Sequence, residues 1–469
     1  MLYGLAVAVI SNLSRSHIWR SAVLMLASIV FLAQLANNPI VFLPLAGFLL
    51  LGYAGLASIE RGWSRAGVWW ILGVIFVYVW LKKYTFLPES TFLRFPYVTL
   101  GLSYIFFRVL HLLIDTGSGK EKRHIGLGAY LLYCLNFTTL LSGPIQRYED
   151  FARDQFAREP IPLDPRVIGL QLERIVRGFF KVNVLGMLLN AIQEDALAQM
   201  FQPLPPGPRL FAAFRLVVSP FFLYVNFSGY IDIVIALARL MRVRLPENFD
   251  RPFSASSALE FWSRWHMTLS NWLRTYVYNP MLLALMRRFS SPTLEPFLAV
   301  FCFFVTFFLI GVWHGRTSEF IFFGLLTGGG MSANKLWQLG LARAMGRKGY
   351  KSLANRGAYV AFGRGLNFIW FAFTFFWFWG SWKQIDRVFA ALDAGEWISV
   401  WLAAWIISTV VLASWEWLRS ALLSIESSEG PVLTSRYARV VYASALGLMA
   451  FLTTVLLNQP APGIVYKTF

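Results

Sequence analysis

Apolar runs of roughly 16 to 22 residues recur along the chain, divided by short polar stretches, from about residue 20 to about residue 457. Each approximates the ~20 residues an α-helix needs to cross ~30 Å of hydrocarbon. The pattern predicts spans at 21–36, 39–57, 66–81, 96–114, 125–141, 167–191, 209–240, 294–313, 319–340, 358–379, 397–419 and 438–457. Pro220 and Gly229 are expected to break the long 209–240 run. The 167–191 run carries Glu173, Arg174, Arg177 and Lys181 at helical spacings, which predicts a helix with one wet face. Leu2 to Ile10 is too short to span, lacks a clear cleavage site, and reads as interfacial. The fold class expected is an all-α polytopic membrane protein. Its eleven to thirteen transmembrane helices, with shorter amphipathic ones, form a single integral-membrane domain over 1–469. A transmembrane β-barrel would show short alternating segments instead.

Composition agrees. The chain is 57% hydrophobic and 14% charged, against roughly 25% charged for a soluble domain, and its mean hydropathy is +0.55. The net charge of +18 does not signal nucleic acid, because the basic residues sit between apolar runs rather than on one soluble module. Anionic membrane lipid is their ordinary partner. Charge placement also suggests orientation, since cytoplasmic loops favour Lys and Arg. Arg15 and Arg20 precede the first span, Arg61 and Arg65 follow the second, and Lys120, Lys122 and Arg123 follow the fourth. Lys82 and Lys83 fall on the opposite side, yet the alternation favours a cytoplasmic N-terminus. Residues 343–364 hold six basic residues and no acidic one, and read as a cytoplasmic loop that could attract phosphates. Cys134 and Cys302 lie inside apolar runs and read as small buried hydrophobes. No Cys/His metal cluster, Gly-rich phosphate loop or internal repeat is visible, so no metal and no tightly bound cofactor is expected.

Candidate chemistry concentrates in residues 224–315. The apolar run Leu294 to Trp313 ends in Trp313-His314-Gly315. An imidazole delivered by a membrane-length segment is costly to bury, so a functional role and a structural pairing are both open for His314. Gly315 permits close backbone approach. Residues 245–256, with Pro246, Asn248, Asp250 and Pro252, read as a loop. Residues 257–274 fit one amphipathic helix lying at the interface. In it Glu260 and Arg264 stand at i,i+4, Trp262, Ser263 and His266 share a face with Ser270, and Trp265, Leu269 and Trp272 form a stripe. The tryptophans suit an interfacial belt or substrate stacking; His266 suits catalysis or a structural hydrogen bond. Asp232 begins the stretch Ile231 to Leu240 after a Ser-Gly break, and needs a partner, water or a helix-capping role.

Four ordered motifs carry a resemblance. They are Leu141-Ser-Gly-Pro-Ile-Gln-Arg147, Asn226-Phe-Ser-Gly-Tyr-Ile-Asp232, Leu245-Pro-Glu-Asn-Phe249 through Phe261-Trp-Ser-Arg-Trp-His266 to Tyr276-Val-Tyr278, and Trp313-His-Gly315. Gly101-Leu-Ser-Tyr-Ile-Phe-Phe107 leading to Leu113-Ile-Asp115 is a weaker fifth. The chain resembles the membrane-bound O-acyltransferases, in the bacterial branch of alginate O-acetylation proteins and lipoteichoic acid D-alanyl transferases. The motif-bearing core is about 80–340, with helices following at 358–457.

The resemblance implies a multi-helix bundle around a central tunnel, in the bacterial inner membrane. It implies His314 as the essential catalytic residue and His266 as the second important histidine. Asp232, Arg264, Trp313, Asn248 and Ser263 are the expected substrate-path or supporting residues. The implied donor is acetyl-CoA or another acyl-CoA, and the acceptor an extracytoplasmic polysaccharide, reached in some relatives through an exported serine-dependent partner. D-alanyl transfer, protein or lipid acylation, a proton-coupled transporter and a secretion scaffold are the rival readings.

Overall fold

The computed structural model describes residues 1–63, 66–121, 124–423 and 435–457. Arg65, Lys122 and Arg123, three of the orienting charges, lie outside them. The described residues are helical without a strand; the isolated extended pairing is Phe249 opposite Trp265. They form two compact units. One contains Met1–Gly178 and Tyr230–Glu247; the other contains Phe179–Gly229 and the described part of Asn248–Val465.

Seven helices among the described residues are long and apolar enough to cross a membrane: Pro39–Glu60, Pro165–Met200, Pro206–Leu240, Glu295–His314, Gly357–Trp379, Ala394–Ser420 and Tyr437–Leu456. This is a multi-pass membrane protein, with fewer full-length spans than the apolar runs suggested. The expected span 319–340 lies in the helix Ser318–Ala354, which is not among these seven, and four other expected spans are shortened for local reasons. His17–Ala33 and Gly67–Leu81 are helices of 17 and 15 residues, so at ~1.5 Å per residue they fall short of ~30 Å. Leu102–Gly117 has 16 residues and contains Arg108, His111 and Asp115.

The expected span 125–141 is helical only over Leu127–Cys134. Its end is secured by the buried Arg108, which donates to the carbonyls of Tyr133 (2.9 Å), Cys134 (2.8 Å) and Thr139 (2.8 Å). A guanidinium there satisfies carbonyls that a helix C-terminus leaves unpaired. The chain then runs irregularly through Ser142-Gly-Pro144.

Proline acts as the sequence predicts at Pro220: helices Pro206–Val218 and Phe221–Leu240 meet there. Gly229 does not break the second helix. Asp232 is therefore mid-helix, which removes its capping role. The basic stretch after residue 342 is also helical. Ser318–Ala354 continues through it, kinked at Gly346 (φ 73°), and exposes Arg343, Arg347, Lys348 and Lys351.

In the second unit, Glu295–His314 and Ser318–Ala354 form a tight helical hairpin. A Cβ on Gly311 would overlap the Gly324 backbone, so these helices approach to backbone contact. Close packing through small residues is how membrane helices associate without a hydrophobic driving force.

Candidate active site

Backbone geometry sets the first histidine. The expected helix over 257–274 is instead two short helices, Ala258–Arg264 and Met267–Leu273. Between them His266 adopts a left-handed conformation, φ 43° and ψ 51°. For a residue with a side chain this costs about 1–3 kcal/mol and persists only where surroundings enforce it. A short extended bracket does so. Asp250 N–H donates to the Arg264 carbonyl (2.9 Å), and Met267 N–H donates to the Asn248 carbonyl (2.9 Å). The bracket places Asn248 beside His266, both 0% exposed.

Asn248 Oδ1 accepts from Thr268 N–H (3.1 Å), from Thr268 Oγ1 (2.8 Å), and lies 3.2 Å from His266 Nδ1. Its Nδ2 has no hydrogen-bond partner among the described residues. The Phe227 ring packs edge-on to His266 at 5.2 Å, and Phe249 packs on Phe227 at 5.1 Å. Burial pushes the His266 imidazole down to about 3, because the charged ring loses its hydration. The ring is neutral near pH 7.

Packing sets the second histidine. His314 ends the helix Glu295–His314 and is 4% exposed. A Cβ on Gly315 would run into the Phe320 ring, so glycine lets the turn close under that ring. Aromatic rings wall the imidazole: Phe378 at 5.1 Å, Phe323 at 6.2 Å and Trp313 at 4.8 Å between centroids. Trp313 is also 6.3 Å from His266. One buried indole thus neighbours both histidines, and His266, His314, Trp313 and Asn248 form one cluster within the second unit.

The other expected residues lie differently. Arg264 Nη2 donates to Glu260 Oε1 (2.8 Å), the pair that the i,i+4 spacing predicts. Exposed Ser263 donates its hydroxyl to the Glu260 carbonyl (2.7 Å), inside its own helix. Trp265, expected at an interface, is 2% exposed and packs against Phe249, Phe261 and Phe371. Asp232 belongs to the first unit, where Oδ1 accepts from Arg174 Nε (2.9 Å). Arg174 also donates bidentately to Glu247, at 2.7 and 2.6 Å. This is the partner that an intramembrane carboxylate requires.

Two features were missed in the sequence. Asn226 is 0% exposed, with neither amide atom hydrogen-bonded among the described residues. It stood inside a quoted motif, and that was the available signal. His111 is a third buried histidine, accepting from Tyr148 N–H at Nε2 (3.2 Å) within the first unit. Its place in an apolar run was the same cue that marked His314. Among the described residues no group of His, Cys, Asp or Glu is arranged to hold a metal ion.

Comparison with known proteins matches residues 73–373 to the family model of the membrane-bound O-acyltransferases. A teichoic acid D-alanyltransferase of Streptococcus thermophilus is 32% identical over 251 residues, covering 51% of this chain and 57% of that protein. A probable alginate O-acetylase AlgI of Pseudomonas fluorescens is 30% identical over 312 residues, covering 65% and 59%. The corresponding Pseudomonas aeruginosa protein is 28% identical over 348 residues, covering 70% and 62%. The chain spans about six tenths of the length of these relatives.

Proposed function

The chain belongs to the membrane-bound O-acyltransferase family, and from that premise we propose that it transfers an acyl group, most simply acetyl, from cytoplasmic acyl-CoA to a hydroxyl acceptor. The observation that carries this reading is the pair of buried histidines sharing Trp313 as a neighbour. An acceptor hydroxyl attacks the thioester carbonyl, and His314 removes its proton as general base. The C–O bond forms, the C–S bond breaks, and the proton passes to the departing thiolate. A positioned base contributes about 10²–10⁴-fold. The aromatic wall keeps water from competing for the acyl group. His266, neutral and hydrogen-bonded, orients the acceptor or assists the proton transfer.

The acceptor in this proposal is an extracytoplasmic polysaccharide, reached directly or through an exported serine-dependent partner, with acetyl groups moving across the bacterial inner membrane. A cytoplasmic N-terminus fits Arg15, Arg20 and Arg61. No tightly bound cofactor is required. The acetylase relatives support this reading, whereas the Streptococcus relative favours D-alanyl transfer as the second one.

The test is His314→Ala in proteoliposomes loaded with labelled acetyl-CoA. Acetyl transfer is expected to fall about 10²–10⁴-fold. Undiminished transfer by that variant overturns His314 as the base. Transfer from a D-alanyl donor, with none from acetyl-CoA, moves the protein to the second reading.

A further inference from the structure

Asn248 was expected only as a loop residue along the substrate path, and its contacts give it a narrower task. The backbone N–H of Thr268 can only donate, so the Asn248 atom 3.1 Å away is the amide oxygen. An amide oxygen can only accept. His266 Nδ1, 3.2 Å from the same oxygen, is therefore the donor in that contact. A neutral imidazole carries one ring proton, and placing it on Nδ1 makes Nε2 the acceptor nitrogen.

We propose that Asn248 is the positioning residue that fixes the tautomer of His266, holding the proton on Nδ1 and presenting the Nε2 lone pair to the transfer chemistry. The use of that lone pair rests on the acyltransferase reading; the tautomer itself does not. Three features make the arrangement firm. Asn248 and His266 are both fully buried, so water does not compete for the shared contact. Thr268 holds the amide through two further hydrogen bonds, which prevents rotation of its oxygen away from the ring. The bracket between 248–250 and 264–267 fixes the two backbones relative to each other. Burial also keeps the ring neutral at working pH, so the choice of tautomer decides what each nitrogen can do. Outer partners that fix the tautomer of a metal-bound histidine change activity by about 10- to 100-fold when removed, and an effect of that order is expected for this metal-free ring.

The experiment is nitrogen NMR of histidine-labelled protein in lipid, with the His266 signals assigned by their loss in His266→Gln. The parent is expected to show protonated Nδ1 and unprotonated Nε2 from pH 8 to pH 5. Asn248→Ala is expected to mix the tautomers and to lower kcat about 10- to 100-fold with little change in KM. Asn248→Asp keeps an acceptor and adds negative charge. It should retain the Nδ1 proton, recover much of the activity, and move the acid limb of the pH profile to higher pH. A parent ring protonated on Nε2 overturns the proposal, as does an unchanged tautomer in Asn248→Ala. Full transfer by His266→Gln, with the parent tautomer as assigned, instead overturns the catalytic use of His266 and leaves the Asn248 link standing. The parent spectrum decides the tautomer even if a variant fails to fold.

Discussion

The two buried histidines of the candidate site, His266 and His314, occupy one unit but are held by different physics. His314 is placed by shape: a glycine-packed hairpin delivers it, and aromatic rings close around it. His266 is placed by hydrogen bonds: a strained backbone turn sits inside an extended bracket, with Asn248 and Thr268 fixing the ring. Shape sets where the His314 ring sits. Hydrogen bonds dictate protonation, and tolerate a costly backbone to do so. A ring that must keep one tautomer is served by such hydrogen bonds.

The sharpest way to break this contrast is to overfill the hairpin. Gly311→Leu forces even its Cβ into the Gly324 backbone, whereas a Cβ at Gly329, on the same hairpin, meets nothing within 4 Å. Overpacking of this kind costs about 1–3 kcal/mol or more. Gly311→Leu is expected to lower the thermal midpoint in detergent and to abolish transfer. Gly329→Leu should leave both near the parent. Equal behaviour of the two variants would mean that hairpin packing does not place His314.

That contrast was only half legible in the sequence. Periodicity located the helix that carries His314, because an apolar run of 20 residues has few alternatives to a helix in lipid. The broken helix at His266 was not legible. Both Ala258–Arg264 and Met267–Leu273 satisfy helical spacing, and a left-handed non-glycine residue between them leaves no mark in composition. The bracket depends on pairing across about fifteen residues, and the rings of Phe323 and Phe378 reach His314 only through tertiary packing. The pairing of Asp232 with Arg174 lay in the same class: the need for a partner could be read, its identity could not.

Falling pH tests the burial of His266 alone. The His266 ring is pushed down to about 3 in the folded protein, against about 6.5 in an unfolded chain. The folded state therefore binds fewer protons in that window, and stability is full above about pH 6.5 and falls as pH drops towards 3. One such group contributes a slope of up to about 1.4 kcal/mol per pH unit. Replacing it, in His266→Gln, should flatten the loss of thermal stability between pH 6.5 and 5. Equal slopes in parent and variant would show that His266 does not resist protonation by burial.

The smallest effect is expected one helical turn before His266. Arg264 and Glu260 are each partly exposed, with side-chain exposures of 26% and 34%, and such i,i+4 pairs contribute about 0.3–0.5 kcal/mol. Ser263 points to solvent and bonds only the carbonyl of its own helix among the described contacts. Arg264→Gln and Ser263→Ala are therefore expected to shift the thermal midpoint slightly and to leave transfer within about twofold of the parent, in contrast to Asn248→Ala. Measured together at several acyl-CoA concentrations, the variants ask whether the demand for exact geometry extends along the helix or ends at the bracket. A large rise in KM for Arg264→Gln alone would place its guanidinium on the path of the anionic donor and extend the site beyond the buried cluster. An unchanged KM confines the hydrogen-bonded half of the comparison to Asn248, His266 and Thr268, where the buried contacts already concentrate it.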